Sequence, residues 1–432
     1  MTSDLEQLLQ EAQADPSAPE DIADRIYEAE GIRFLLDKFG DSVLHAADDA
    51  GNTVANLTAR WCQTDEPLQL LSEALSSAGW SVCEFFTNPG AENACPLHCA
   101  AKNPSIAALQ WLMQLLGAEY LRSPDASHCL PVHYSALYQC PDALELYKRE
   151  AGLSIFEETT SRERTVFHCA AMNESADNLR WLISELDGEG SFLVARDISG
   201  NTPVHLAAWC QDVDTMELLK EHLGEEMFDL SGEDGETLAH SAAQNTQSGE
   251  VLAWCIREMG PERLATADCW GKTVTHRAAE NQTAESLQLL FEALGRPCLE
   301  AVDSSGRSAV HYAATNTASD SALRWIVDLL GPSCLVKETD AQGIKPVHLM
   351  ARHLDTEALD YLDSLDYRLV FRTTDRDGRT LVHYAAENEL CRDMLAWCVS
   401  HLEDPMWLQE EDLFGKSPLY IASGRKPEYV IE

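Results

Sequence analysis

The chain has 432 residues, more than one compact core normally accommodates, so it holds either several domains or one long repeat array. Asp and Glu number 72 against 31 Lys and Arg, a formal net charge of −41 at pH 7 that repels nucleic acid and anionic membranes unless a basic patch intervenes. With 45% hydrophobic residues the chain is too apolar to be disordered. No run of about 18 apolar residues exists to span a membrane. The basic residues are scattered, the longest cluster being Arg425-Lys426, so neither nucleic acid nor membrane is expected as a partner. The acid excess favours solubility first and attraction of a basic protein surface second.

The N-terminal stretch is acidic and lacks an apolar core, so it does not read as a secretory signal. The fourteen cysteines stand singly without a C-x-x-C pair, as small core residues of a reducing compartment do, and a cytoplasmic location is expected.

In chain order, residues 1–43 form a helical cap. Ser3 and Glu6 make a capping box, Pro16 and Pro19 stop the first helix, and residues 21–39 read as a second with Ile22, Ile26, Ala29, Phe34 and Leu35 as its apolar positions. Residues 44–432 are about eleven copies of one unit, the last incomplete. The repeating position is held by Asn56, His98, His133, His168, His205, His240, His276, His311, His348, His383 and Tyr420, and after a first step of 42 the spacing is 35 to 37.

Each copy has the same grammar. Eight positions before the repeating residue stands an Asp in eight copies, namely Asp48, Asp125, Asp197, Asp268, Asp303, Asp340, Asp375 and Asp412. Three residues after that position a glycine is usual, and D-x-x-G is turn chemistry, the Asp bonding local backbone and the Gly taking a positive φ. Thr or Ser follows, often with Pro, as a helix start. A short helix with an Ala-Ala pair and a second helix ending at Gly complete the unit.

Thr202-Pro203-Val204-His205-Leu206-Ala207-Ala208, with its variants at residues 271–279 and 378–386, resembles the ankyrin repeat family over about residues 44–432. The resemblance implies an all-α solenoid with β-turn fingers behind the helical cap. It also implies that the nine histidines bond within and between repeats. Function would then be non-enzymatic protein recognition by a monomer on the concave face. Mapping the family's contact positions onto this chain gives Ile198, Trp209, Trp270, Lys272, Arg307, Gln342, Ile344, Arg352, Arg376, Arg379, Glu387 and Phe414. Trp270, Ile344 and Phe414 stand out, since large apolar residues at turn tips are costly to expose without a partner.

Three departures from the family pattern are expected to matter. The period exceeds the usual ~33 residues, which predicts longer second helices or deeper loops. Trp111, Trp181, Trp254, Trp325 and Trp397 mark every other copy, together with Asn103, Asn173, Asn245, Asn316 and Asn388, so the copies come in pairs. The tryptophans are expected between second helices and the asparagines as left-handed caps. In copies two to four Asn93, His128 and Glu163 replace the turn glycine, which predicts irregular loops where specificity could reside.

No P-loop, G-x-G-x-x-G, G-x-S-x-G or H-E-x-x-H pattern occurs, so no catalytic residue and no cofactor is expected. Cys95, His98 and Cys99 are the one tight Cys/His grouping, and the repeating histidines lie too far apart in sequence to share a metal locally, so no metal is expected. The eleventh copy breaks off soon after its first helix. The alternative reading is therefore a targeting module of a longer effector or enzyme whose catalytic part lies beyond Glu432.

Overall fold

A computed structural model describes residues 4–14, 27–186, 191–232, 234–364, 373–391, 393–401 and 405–423. These fall into two compact units, residues 1–211 and 212–432, the division lying inside the fifth repeat between its two helices rather than at the cap. Each unit is a stack of helix pairs. Among the described residues there are no strands, only isolated bridges at the bases of the fingers, such as Ala267 with Thr273 and Val302 with Ser308.

The first helix of each repeat begins where the sequence grammar predicts. Thr165 is extended (φ −81°, ψ 170°), and His168, three residues on, completes a capping box with an imidazole where the motif usually has a glutamate. All six residues of that helix, Val166–Ala171, are buried, because the first helices of neighbouring repeats lie on both sides of it. The Ala pair permits this approach. A larger side chain there would overpack a filled core.

First helices alternate in length, a signature of pairing beyond the Trp and Asn positions. Val54–Trp61, Pro131–Tyr138, Pro203–Cys210, Val274–Asn281 and Pro346–His353 have eight residues. The intervening ones, such as Pro96–Ala101 and Leu381–Ala386, have six, and Ala309–Ala313 has five. The short ones end in a tightened turn, as where the Asn103 N–H bonds the Ala100 carbonyl, and the asparagine then opens a longer connector.

Second helices end at glycines in the left-handed region, including Gly117 (φ 87°), Gly224 (φ 66°) and Gly331 (φ 83°), as the C-cap signal predicts. The extra residues of the long period neither lengthen these helices nor form open loops. They fold into a further short helical segment, for example Val82–Thr87, Leu153–Glu157 and Gly224–Asp229. Each buries an aromatic ring, Phe86, Phe156 and Phe228. This explains the placement of the alternating tryptophans, which lean on those rings: centroids are 5.2 Å apart for Phe86 and Trp111, 5.5 Å for Phe156 and Trp181, and 5.6 Å for Phe228 and Trp254. The expected packing between second helices is present as well: Trp325 lies 5.8 Å from Phe291 of the preceding second helix, Ala284–Leu294, and the Trp254 indole N–H donates to Glu217 of Val213–Leu223.

In the N-terminal segment, Asp4–Gln13 and Ala29–Phe39 are helices, with Leu5, Ala12, Ile32 and Leu35 buried. The Leu5 N–H donates to the Ala47 carbonyl, joining the cap to the first finger. Ser3, Pro16, Pro19, Ile22 and Ile26 lie outside the described residues, as do residues 424–432.

Candidate interaction surface

The fingers are built from one side chain. In each of the eight copies that have it, Asp Oδ1 accepts the backbone N–H groups two and four residues on. For Asp303 these bonds are 2.8 Å to Ser305 and 2.8 Å to Arg307, and for Asp412 they are 2.9 Å to Phe414 and 2.9 Å to Lys416. The carboxylate thus closes the turn from within.

Neighbouring fingers are then tied by backbone. Within the second unit Ser304 donates to Trp270 (2.8 Å), Ala341 to Ser305 (2.7 Å), Arg376 to Gln342 (3.1 Å) and Leu413 to Asp377 (2.9 Å). At Gly271 this close approach favours glycine. A Cβ on Gly271 (φ +76°) would lie 3.1 Å from the Ser304 nitrogen.

The fingers that lack glycine are more regular than expected. His128 (φ 56°) and Glu163 (φ 57°) adopt the same left-handed conformation, and the ladder runs on, Ser161 to Ser127 at 3.0 Å and Ile198 to Arg162 at 3.0 Å. Thr160 Oγ1 replaces the turn carboxylate, accepting from Arg162 and Arg164. Only the second finger departs, with both Glu92 (φ 55°) and Asn93 (φ 60°) left-handed. The flanking ladder overrides local preference at these positions.

The repeating histidines are consumed by structure. His240 Nδ1 accepts the Thr237 backbone N–H at 3.2 Å, and Nε2 donates to the Lys272 carbonyl at 3.0 Å. The acceptor alternates with the pairing. His98, His168, His240, His311 and His383 reach a carbonyl 31 to 33 residues on, whereas His133, His276 and His348 reach one 25 residues on, just before the next finger. Burial pushes these imidazoles below their ordinary value, His311 and His348 to about 4, so they are neutral at pH 7. In the Cys95, His98 and Cys99 grouping, His98 Nδ1 lies 3.1 Å from Cys95 Sγ and Nε2 donates to the Cys129 carbonyl, so both ring nitrogens are engaged.

The paired asparagines are not left-handed caps: none has a positive φ. Asn316 Nδ2 instead donates to the Ala279 and Gln282 carbonyls at the end of the preceding first helix (3.2 and 2.9 Å), and its Oδ1 accepts from Ala318 and Ser319. The alternate repeats use glutamine in the same way, Gln139 reaching the Ala100 and Asn103 carbonyls and Gln282 those of Ala243 and Asn245. An amide is required, since only it presents donors and acceptor together. The recurrence of Gln139, Gln211 and Gln282 six residues after the histidine was the signal for this clasp.

The finger face of the first unit places Ile198 (51% exposed) at a fingertip and Trp209 (49%) at the end of a first helix. The structure adds Trp61 (53%) and Tyr138 (47%) at the ends of the first and third first helices. Their only sequence signal was a large aromatic where later copies carry Cys210, Asn281 and His353.

In the second unit Trp270 (46%) and Phe414 (70%) project from fingertips, with Leu413 (75%) beside Phe414. Gln342, Arg376 and Arg352 are exposed, and Ile344 is half-buried. Five of the charged positions also make contacts within or between repeats. Arg307 Nε lies 3.1 Å from Asp340 Oδ2, Lys272 Nζ sits 4.7 Å from the Tyr312 ring centre, and Glu387 bonds Arg379 while lying 3.6 Å from Arg352. The structure brings Arg379, Glu387 and Phe414 to one hollow with Lys416 and Tyr420.

No curated protein matches the chain. Residues 132–229 match the family model for ankyrin repeats in three copies. The same finger, capping histidine and helix pair recur on both sides of the matched segment, so the chain contains ankyrin repeats, a module for protein–protein interaction.

Proposed function

We propose that the chain is a non-enzymatic scaffold that binds a protein partner on the concave face of its repeats, formed by the fingers and the exposed ends of the first helices. The observation that carries this reading is the exposure of Trp270 and Phe414, 46% and 70%, on fingertips whose backbone is fixed by Asp turns and an inter-finger ladder. Aromatic anchors on a rigid frame lose little entropy on binding and dominate interface energetics. The histidines support the same reading, because both ring nitrogens of those described above have structural partners and burial keeps them neutral. All fourteen cysteines are free, which suits a reducing compartment. A monomer with neither nucleic acid nor membrane as partner completes the proposal.

The test is a quantitative pull-down with the full chain and with Trp270→Asp and Phe414→Asp, the fold being checked by circular dichroism. Loss of partners that the wild type retains is expected. An unchanged partner set with unchanged affinities would place the contact surface elsewhere.

A further inference from the structure

The first unit carries a feature opposite in sign to the chain as a whole. The Arg60 guanidinium lies 4.7 Å from the Trp61 ring centre and 5.8 Å from that of Tyr138, so it is held between two exposed aromatic rings, and it donates to the Lys102 carbonyl. Lys102 Nζ in turn sits 4.1 Å from the Tyr134 ring centre. Among the described residues neither cation forms an ion pair, although acids outnumber bases 72 to 31. The nearby Asp125 carboxylate is spent, one oxygen on the turn and the other on the Tyr134 hydroxyl at 2.6 Å.

The surroundings extend the pattern. At the exposed ends of the first helices, four and five residues after the repeating position, repeats 1 to 5 carry no acid, whereas the second unit has Glu280 and Glu387 there. The fingertips of the first two repeats do carry Asp49 and Glu92. Among the described residues neither forms an ion pair with Arg60 or Lys102.

We propose that Arg60, Trp61, Lys102, Tyr134 and Tyr138 form a docking patch for an acidic polypeptide segment that carries an aromatic anchor. The proposal rests on the interaction-module reading and gives this part of the face a partner chemistry. A stacked guanidinium has its fork fixed in advance and, with one donor used on Lys102, keeps the others for a carboxylate. The flanking rings offer rigid apolar area for the anchor. The net charge of the chain does not forbid an acidic ligand, because charges beyond ~8 Å are largely screened at physiological salt and the local cations then decide.

The test uses the full chain and a fluorescently labelled random copolymer of Glu and Tyr, with poly-Glu as the probe lacking the anchor. The wild type is expected to bind the copolymer more tightly than poly-Glu, and both Lys102→Glu and the Arg60→Glu/Lys102→Glu pair are expected to weaken binding by about tenfold or more. Far-UV circular dichroism confirms the fold. If charge reversal disturbs it, Tyr138→Ser, which removes one exposed face of the Arg60 sandwich, is expected to weaken binding instead. Absence of copolymer binding to the wild type, or binding unchanged in a folded patch variant, overturns the inference. Neither result touches the proposed binding through Trp270 and Phe414, which is tested separately by the response of the partner set to their substitution.

Discussion

His240 Nε2 donates to the carbonyl oxygen of Lys272 at 3.0 Å, fastening the first helix of one repeat to the finger of the next, while its Nδ1 holds the N-cap of its own helix. One ring thus closes a local and a long-range contact. Replacing His240 by Ala leaves the buried Thr237 N–H unpaired, takes from the Lys272 carbonyl one of its two donors, the other being the Asp268 N–H, and opens a cavity, so a loss of about 2–4 kcal/mol is expected. Urea denaturation should show a lower midpoint with an unchanged slope. A change below about 0.5 kcal/mol would mean that the ring is dispensable.

The same burial makes the stack sensitive to acid. Folded-state values for His98, His133, His168, His240, His276, His311, His348 and His383 lie below the ordinary one of about 6.5. Below that pH the unfolded chain takes up protons that the folded chain refuses. Stability is therefore full above pH ~6.5 and falls as the pH drops toward the folded values. For His311 and His348, held at about 4, the loss across this window reaches roughly 3 kcal/mol each. Thermal melts at pH 7.5 and pH 5 should show the drop, and a His311→Gln variant should show a shallower pH dependence despite its lower stability.

Glu163 and Gly271 occupy the same turn position with opposite consequences. Glu163→Gly removes left-handed strain (φ 57°) from a side chain that nothing needs there, and a gain of about 1 kcal/mol is expected. Gly271→Ala imposes that strain and brings a Cβ to 3.1 Å from the Ser304 nitrogen, so it should cost about 1–3 kcal/mol. Denaturation of the two variants side by side checks both signs.

Asn316 tests the amide clasp. Asn316→Asp keeps the acceptor for Ala318 and Ser319 but removes the donor to the Ala279 and Gln282 carbonyls, placing a carboxylate against them. A loss of about 2–3 kcal/mol is expected, with faster amide hydrogen exchange around Val274–Asn281. Unchanged exchange there would show that the clasp carries no load.

Much of this was legible in the residues, because the features that recur are those that backbone geometry demands. Asp303 and Gly306 fix a turn, Thr273 with His276 opens a helix, and Gly331 ends one. What escaped the sequence depends on neighbours in space. Phe86, Phe156 and Phe228 fall in the extra residues of the long period, expected as helix extension or deeper loop, yet each stretch is a short buried helix packed on the tryptophan of the next repeat. Glu163 looked like a broken turn, but the finger ladder on either side imposes its conformation. The stacking of Arg60 between Trp61 and Tyr138 joins residues 78 positions apart and has no local signature.

The finger face as the binding surface is tested most directly by crosslinking mass spectrometry on the full chain in native lysate, read at its lysines. Lys102, Lys272 and Lys416 lie on the fingers or the ends of first helices, whereas Lys148 and Lys220 lie on second helices. Crosslinks to a partner protein concentrated at Lys102, Lys272 and Lys416 are predicted. Crosslinks confined to Lys148 and Lys220, with the finger lysines unmodified by partner, would contradict the account.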